Sequence, residues 1–224
     1  ERSINVLRAA RAVENGDHSA IVDMTILLKD RKLQDSQEVG EFKLESIPVL
    51  RKDATDLEGR MQYSAKPIRQ SLTNLATRKL DVDARAMFKC VMGFMGDFSF
   101  PFPALQAGQI IETCRQNPAL VDEALCQILK QANQSDEARS SVALSEDRGM
   151  ALLGIFIAIF HPPSVVENHV ELFLSQKPHF EHLRRILHYR AVKQKDASVQ
   201  SVSVQELEAL WKSPTQEAVL VLVE

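Results

Sequence analysis

Apolar residues recur every three or four positions along most of this chain, the spacing that lines one face of an α-helix. Val121, Ala124, Leu125, Ile128, Leu129 and Ala132 give the clearest case. Pro118 opens that segment where a missing N–H costs nothing, and Asp122 and Glu123 occupy its first turn, where negative charge is favoured. Upstream, Met87, Cys90, Val91 and Phe94 form a second stripe, preceded by Asp81 and Asp83 and closed by Gly96-Asp97. The turn Pro101-Phe102-Pro103 leads into a helix over 104–116. Residues 150–160 are apolar on every side, which predicts a helix buried on all faces, the central rod of a bundle. Pro162-Pro163 breaks it, a helix over 164–174 follows, and Pro178 separates another over 179–192. Ser203 and Glu206 form a capping box ahead of Leu207, Leu210 and Trp211.

Elsewhere the period is weaker. Residues 5–14 read as a short helix stopped at Asn15-Gly16, and Ile21, Met24, Thr25 and Leu28 mark a second over 20–33. Residues 34–60, with Pro48 and Arg51-Lys52-Asp53, predict a loop with at most short helical turns, and the serine-rich stretch 133–146 predicts an exposed connection. The run 218–223 favours a β-strand but has no partner strand within reach, so it is expected to open a following domain. The fold class is therefore all-α, a multi-helix bundle with a C-terminal strand belonging to a following domain. The expected division is N-terminal helices and loop packed on the bundle (1–60), a helical domain (61–213) and the start of a following domain or tail (214–224).

Composition narrows the function. Of 224 residues, 45% are hydrophobic and the net charge is only −3, which excludes an intrinsically disordered chain. Eight Gly and nine Pro are too few for a fold of many hairpins. The three cysteines, Cys90, Cys114 and Cys126, form no Cys-x-x-Cys pair and read as small apolar residues. No signal-peptide pattern opens the chain, and the longest uncharged run, 149–163, falls short of the roughly 18 residues of a membrane span. Nucleophile elbows, phosphate loops and His-Glu-x-x-His helices are absent from the sequence. His161 and His169 are separated by a proline pair and read as helix-end histidines. Gly93-Phe94-Met95-Gly96 has the spacing of an RNA-clamping loop, but its apolar filling suits a tight turn instead. Asp122 and Glu123, being adjacent, point to different faces, which suits dipole stabilisation or a hydrogen bond to a loop rather than paired catalysis. No catalytic residue, metal or cofactor is expected.

Five motifs in order carry a family resemblance. They are Met61-Gln62-Tyr63-Ser64-Ala65-Lys66-Pro67-Ile68 with Ser71-Leu72, and Met87-Phe88-Lys89 through Phe94-Met95-Gly96-Asp97. Next come Leu120-Val121-Asp122-Glu123 with Gln127 and Lys130-Gln131, then Arg148-Gly149-Met150 with residues 160–164, and last Glu206-Leu207-Glu208-Ala209-Leu210. Together they resemble the myosin tail homology domain of the fourth type over residues 61–210. Val121 stands where that family usually has arginine, Met150 where it has tryptophan, and the link from Gln131 to Arg148 is longer than usual, which marks a divergent member. The resemblance implies a helical bundle, not an enzyme, of the kind found in the tails of unconventional myosins, a plant kinesin and some signalling adaptors. It implies a cytoplasmic, cytoskeleton-associated module that usually precedes a FERM domain and binds microtubules or cargo tails jointly with it.

The charge pattern suggests where such binding would occur. Residues 177–195 carry six Lys or Arg against one acid, Glu181, in a chain whose net charge is −3. Phe180, Leu183, Ile186 and Leu187 mark the buried side, leaving Arg184, Arg185, His188, Arg190, Lys193 and Lys195 near solvent, with Glu181 and Arg185 spaced for an i,i+4 pair. Lys66 and Arg69, with Arg78 and Lys79, form a second, weaker cluster. The plain reading is a solvated helix face held by that pair, and the functional reading is an electrostatic footprint for an acidic partner such as a tubulin tail. The competing reading is an adaptor that holds acidic membrane lipids through the same basic helix. Nucleic acid is disfavoured, because the charges are not accompanied by aromatic platforms.

Overall fold

The structure, a computed structural model, describes residues 43–52, 57–133, 145–160, 162–192 and 203–212. Among them are eight α-helices: α1 (Leu57–Met61), α2 (Arg78–Met95), α3 (Leu105–Gln116), α4 (Val121–Ala132), α5 (Ser145–Ile159), α6 (Ser164–Ser175), α7 (Glu181–Val192) and α8 (Val204–Lys212). No strand occurs among the described residues; Leu50 and Thr73 form an isolated antiparallel bridge. The two N-terminal helices, His161, and the β-favouring run 218–223 lie outside the described residues.

Local chemistry explains most of the boundaries. α2 starts three residues before Asp81, because the Thr77 hydroxyl caps it by accepting from the Leu80 N–H. It ends at Gly96, whose φ of 92° is the left-handed conformation that glycine adopts without strain. The Gly93–Gly96 pair is thus a helix end, as its apolar filling suggested. Pro118 opens a 3-10 turn, Pro118–Leu120, and the α-helix begins only at Val121. The proline at 178 does the same, with the 3-10 turn Pro178–Phe180 ahead of α7. The connection expected over 133–146 is shorter at its far end, since Ser145 and Glu146 already belong to α5. Ser203 and Glu206 form the reciprocal capping box, with bonds of 3.3 and 2.7 Å.

α5 is the hub. It packs against α2, α4, α7 and α8, and every residue from Gly149 to Ile157 is buried, the all-round burial that its uniform hydrophobicity predicted. α2 and α4 also meet, and Met87, Phe88, Val91, Leu125, Ile128 and Leu129 on them are all buried. α6 and α7 form a pair whose Val170, Phe173, Leu183 and Leu187 are buried. α8 closes the bundle over α3 and α5, with Leu207 and Leu210 inward. Residues 43–52 add Leu44, Ile47 and Leu50 to the core and bond to the loop before α2, Arg51 N–H donating to Leu72 O at 2.9 Å.

Candidate interaction surface

The two predicted basic clusters fare differently. On α7, Arg184 uses all three of its guanidinium nitrogens internally. Nε (3.0 Å) and Nη2 (2.5 Å) donate to one oxygen of Glu171 on α6, and Nη1 donates to Glu181 at 2.8 Å. The other Glu171 oxygen meets His188 Nε2 at 2.7 Å. Burial alone would raise the Glu171 carboxyl, but the hydrogen bonds and charges of His188 and Arg184 outweigh it and pull the group down to about 2. Glu171 therefore clamps α7 onto α6 and engages two of the residues expected to face a partner. The i,i+4 pair expected between Glu181 and Arg185 forms instead at i,i+3 with Arg184, because Arg184 is the residue that turns toward α6. Arg185 is exposed. Arg190 lies on α7, its side chain outside the described residues, as are Lys193 and Lys195.

Lys66 and Arg69 sit exposed on the loop between α1 and α2, and this loop is held at both ends. At its start, the Gln131 amide exchanges two hydrogen bonds with the Ser64 backbone, both 3.1 Å. At its end, Asp81 accepts from Ser71 N–H at 2.8 Å, and that backbone bond holds its carboxyl below the usual range. Glu123 accepts from Leu72 N–H (2.9 Å), Thr73 N–H (2.7 Å) and the Thr73 hydroxyl (2.7 Å). Glu123 of the acidic pair at 122–123 thus supplies a hydrogen-bonding anchor for a loop. Between the anchors, Lys66 and Arg69 are presented from a fixed backbone, which lowers the ordering cost of any contact they make.

The sequence suggested a loop hydrogen bond for the acidic pair but not the rest of the stripe behind these anchors. Glu123, Gln127, Lys130 and Gln131 form a polar stripe on α4 that is buried rather than solvated. Gln127 donates to Ala84 O at 2.9 Å and to Glu123 at 2.7 Å, and Lys130 donates to Gln62 O. The signal was available: two glutamines and a glutamate at helical spacing on a helix whose other face is fully apolar. A related half-buried centre is Asp97, which accepts from the Ser145 hydroxyl (2.8 Å) and Gln131 (3.2 Å). Burial raises the Asp97 carboxyl, and burial together with Asp97 pushes the Tyr63 phenol up to about 12.

The buried cysteines are held in the neutral thiol form. Burial pushes the Cys114 thiol up to about 12 and Cys126 higher than an ordinary thiol, so both are poor nucleophiles at neutral pH. Among the described residues, no cluster of three His, Cys, Asp or Glu is placed to hold a metal ion, and no helix is long and apolar enough to cross a membrane.

Comparison with known proteins agrees with this geometry. Residues 107–216 match the family model of the MyTH4 domain. The chain is 32% identical over 130 residues to the high molecular weight form of myosin-1 from Acanthamoeba castellanii, covering 58% of this chain and 8% of that protein. It is 30% identical over 124 residues to unconventional myosin-VIIb of Mus musculus, covering 51% of this chain and 5% of that one. The chain therefore spans a small fraction of the length of these relatives. Among solved structures, the human myosin 7b C-terminal MyTH4-FERM domain in complex with the harmonin-a PDZ3 domain superposes with a TM-score of 0.60. That match has 27% identity and covers 78% of this chain and 37% of the other.

Proposed function

This chain belongs to the MyTH4 family, and from that premise we propose that it is a non-catalytic tail module of a cytoskeletal motor that binds microtubules or cargo tails jointly with a FERM domain. The observation that carries the reading is the match to the myosin 7b MyTH4-FERM domain, a structure whose partner is a protein domain. The surface we assign to that binding is made of exposed cations. Lys66 and Arg69 stand on a loop fixed by Gln131, Asp81 and Glu123, and Arg185 faces solvent on α7. Arg184 and His188 contribute by holding α7 on α6 through Glu171.

The test follows from that division of roles. Reversing Arg184 would set a third acid beside Glu171 and Glu181 and disturb the fold, so it is a poor probe. A joint Lys66→Glu, Arg69→Glu and Arg185→Glu variant removes only exposed charge. Each such contact contributes about 1 kcal/mol or less, so the three are changed together. The parent chain is expected to pellet with microtubules, or with an acidic cargo tail, at low salt and to lose that binding as salt rises. The triple variant is expected to lose most of it while keeping parental helicity and melting. Pelleting unchanged by the reversal would remove these residues from the interface.

A further inference from the structure

Among the described residues, three of the five exposed large apolar side chains, Phe98, Phe102 and Leu105, lie just after α2, and nothing in the tail-module reading uses them. From Phe98 to Ile111 the chain has no charged residue, and it begins Phe98-Ser99-Phe100-Pro101-Phe102-Pro103. Phe102 is 67% exposed, Phe98 38% and Leu105 37%. Exposure here is held in place rather than incidental. Phe98 N–H donates to Met92 O at 3.2 Å, and the Phe100 ring lies against Gly93 so closely that a Cβ there would come within 2.3 Å of it. Phe98 and Phe100 pack at 5.5 Å between ring centroids. The Phe102 carbonyl accepts from both Leu105 N–H and the Gln106 side chain, each at 3.2 Å. With Pro101 and Pro103 on either side, the Phe102 ring is presented from a stiff backbone, which reduces the entropy lost when it is buried against something else.

A row of cations leads into this loop. Arg78, Val82, Arg85 and Lys89 follow one another at four-, three- and four-residue steps along α2, so they share one face. Gly93, the seat of Phe100, is the next position on that row. Arg78, Val82 and Lys89 are exposed, and Arg85 is partly exposed and paired with Asp81 at 3.0 Å. A solvent-facing aromatic tip continuous with a cationic stripe is the chemistry of a membrane interface, where aromatic rings enter the headgroup boundary and Lys and Arg meet lipid phosphates.

We propose that the loop 98–103 and the Arg78–Lys89 face of α2 form a docking surface for an anionic lipid membrane, with Phe102 as the inserting side chain. This surface lies on α2 and α3, away from the basic helix α7, and it goes beyond the tail-module reading. An acidic protein would engage the cations and leave Phe102 dispensable. An apolar protein groove would need Phe102 and be indifferent to salt.

Vesicle flotation of the whole chain separates these cases. The chain is expected to float with vesicles that contain phosphatidylserine at low salt and much less with phosphatidylcholine alone. Phe102→Ser, a change at an exposed tip, should lower partitioning about tenfold, as loss of an inserted aromatic implies. Lys89→Glu should lower it by about fivefold or more, with a shallower salt dependence. Both variants should keep the parental circular dichroism and melting temperature. The proposal fails if the parent chain does not float with anionic vesicles. It fails equally if Phe102→Ser floats like the parent, which would leave a cationic patch for an acidic protein. Flotation of Lys89→Glu at parental levels would overturn it as well.

Discussion

Two buried charges show how much a single residue carries here. Glu123 is fully buried and accepts from Leu72, Thr73 and Gln127 through bonds of 2.7–2.9 Å. Glu123→Ala would leave two backbone N–H groups and a hydroxyl unpaired, each costing about 1–3 kcal/mol, so the expected loss is about 3–5 kcal/mol in urea unfolding. A loss under about 1 kcal/mol would mean that water takes over the anchor. Lys130 is the opposite case. Burial, with the nearby Arg60 charge added, brings its ammonium down to about 8, whereas an unfolded lysine titrates near about 10.4. Between those values the unfolded chain holds the proton and the folded chain does not, so this group makes stability rise as pH increases from about 8 to about 10. Lys130→Met should remove that rise and leave the stability at pH 7 unchanged or higher, since it deletes a buried charge. Urea midpoints for both chains at several pH values check this, and an equal rise in the variant would assign the effect elsewhere. Such residues are hard to read from sequence. Periodicity marks the apolar face of α4 correctly, and the glutamines on its polar face signal burial, but neither identifies the 62–73 loop as what covers it.

The elements themselves were largely legible, and the exceptions have local causes. The capping box at Ser203–Glu206 and the left-handed end at Gly96 each follow from one or two residues whose chemistry leaves few alternatives, and the burial of α5 follows from its unbroken apolar run 149–159. The helix starts moved where a second cap or turn competed, as at Thr77 and Pro118. The pairing of α6 with α7 through Glu171 was not legible, because its partners lie 13 and 17 positions away and no local rule connects them. α8 shows the same long-range logic. Trp211 donates from its indole to Phe94 O at 2.7 Å, satisfying a carbonyl near the C-terminus of α2. Arg148 stacks over that indole at 4.0 Å and donates to Trp211 O at 3.0 Å. The closing helix and the α2 terminus therefore hold each other. Trp211→Phe keeps the ring but removes the donor, leaving Phe94 O without this partner. It should cost about 1–3 kcal/mol and selectively raise amide exchange in residues 204–212. Uniform loss of protection across all helices would show that α8 does not open on its own.

At the scale of the whole bundle, the decisive fact is that one helix touches most of the other long helices among the described residues. Because α5 packs on α2, α4, α7 and α8, its side chains belong to several contacts at once, and the bundle cannot relax around a misfit there as a peripheral helix could. Ile155 is 1% exposed on this helix. An aspartate at that position would place a charge where no cation or donor was arranged to receive it, and the residue would have to stay neutral, drag in water or leave the core. Any of these costs an amount comparable with the stability of an ordinary domain, about 5–15 kcal/mol. Ile155→Asp should therefore abolish cooperative melting and far-ultraviolet helicity together, while Ile155→Val, which removes one methylene, should lower stability by only about 1 kcal/mol. The pair of variants distinguishes a hub from a tolerant seam. If Ile155→Asp melts cooperatively with most of its helicity, the other helices have a core of their own. The surfaces carried by α2, by the anchored loop and by α7 could then move independently. If it does not, those surfaces are fixed relative to one another by α5, and a partner that meets one of them meets a rigid frame.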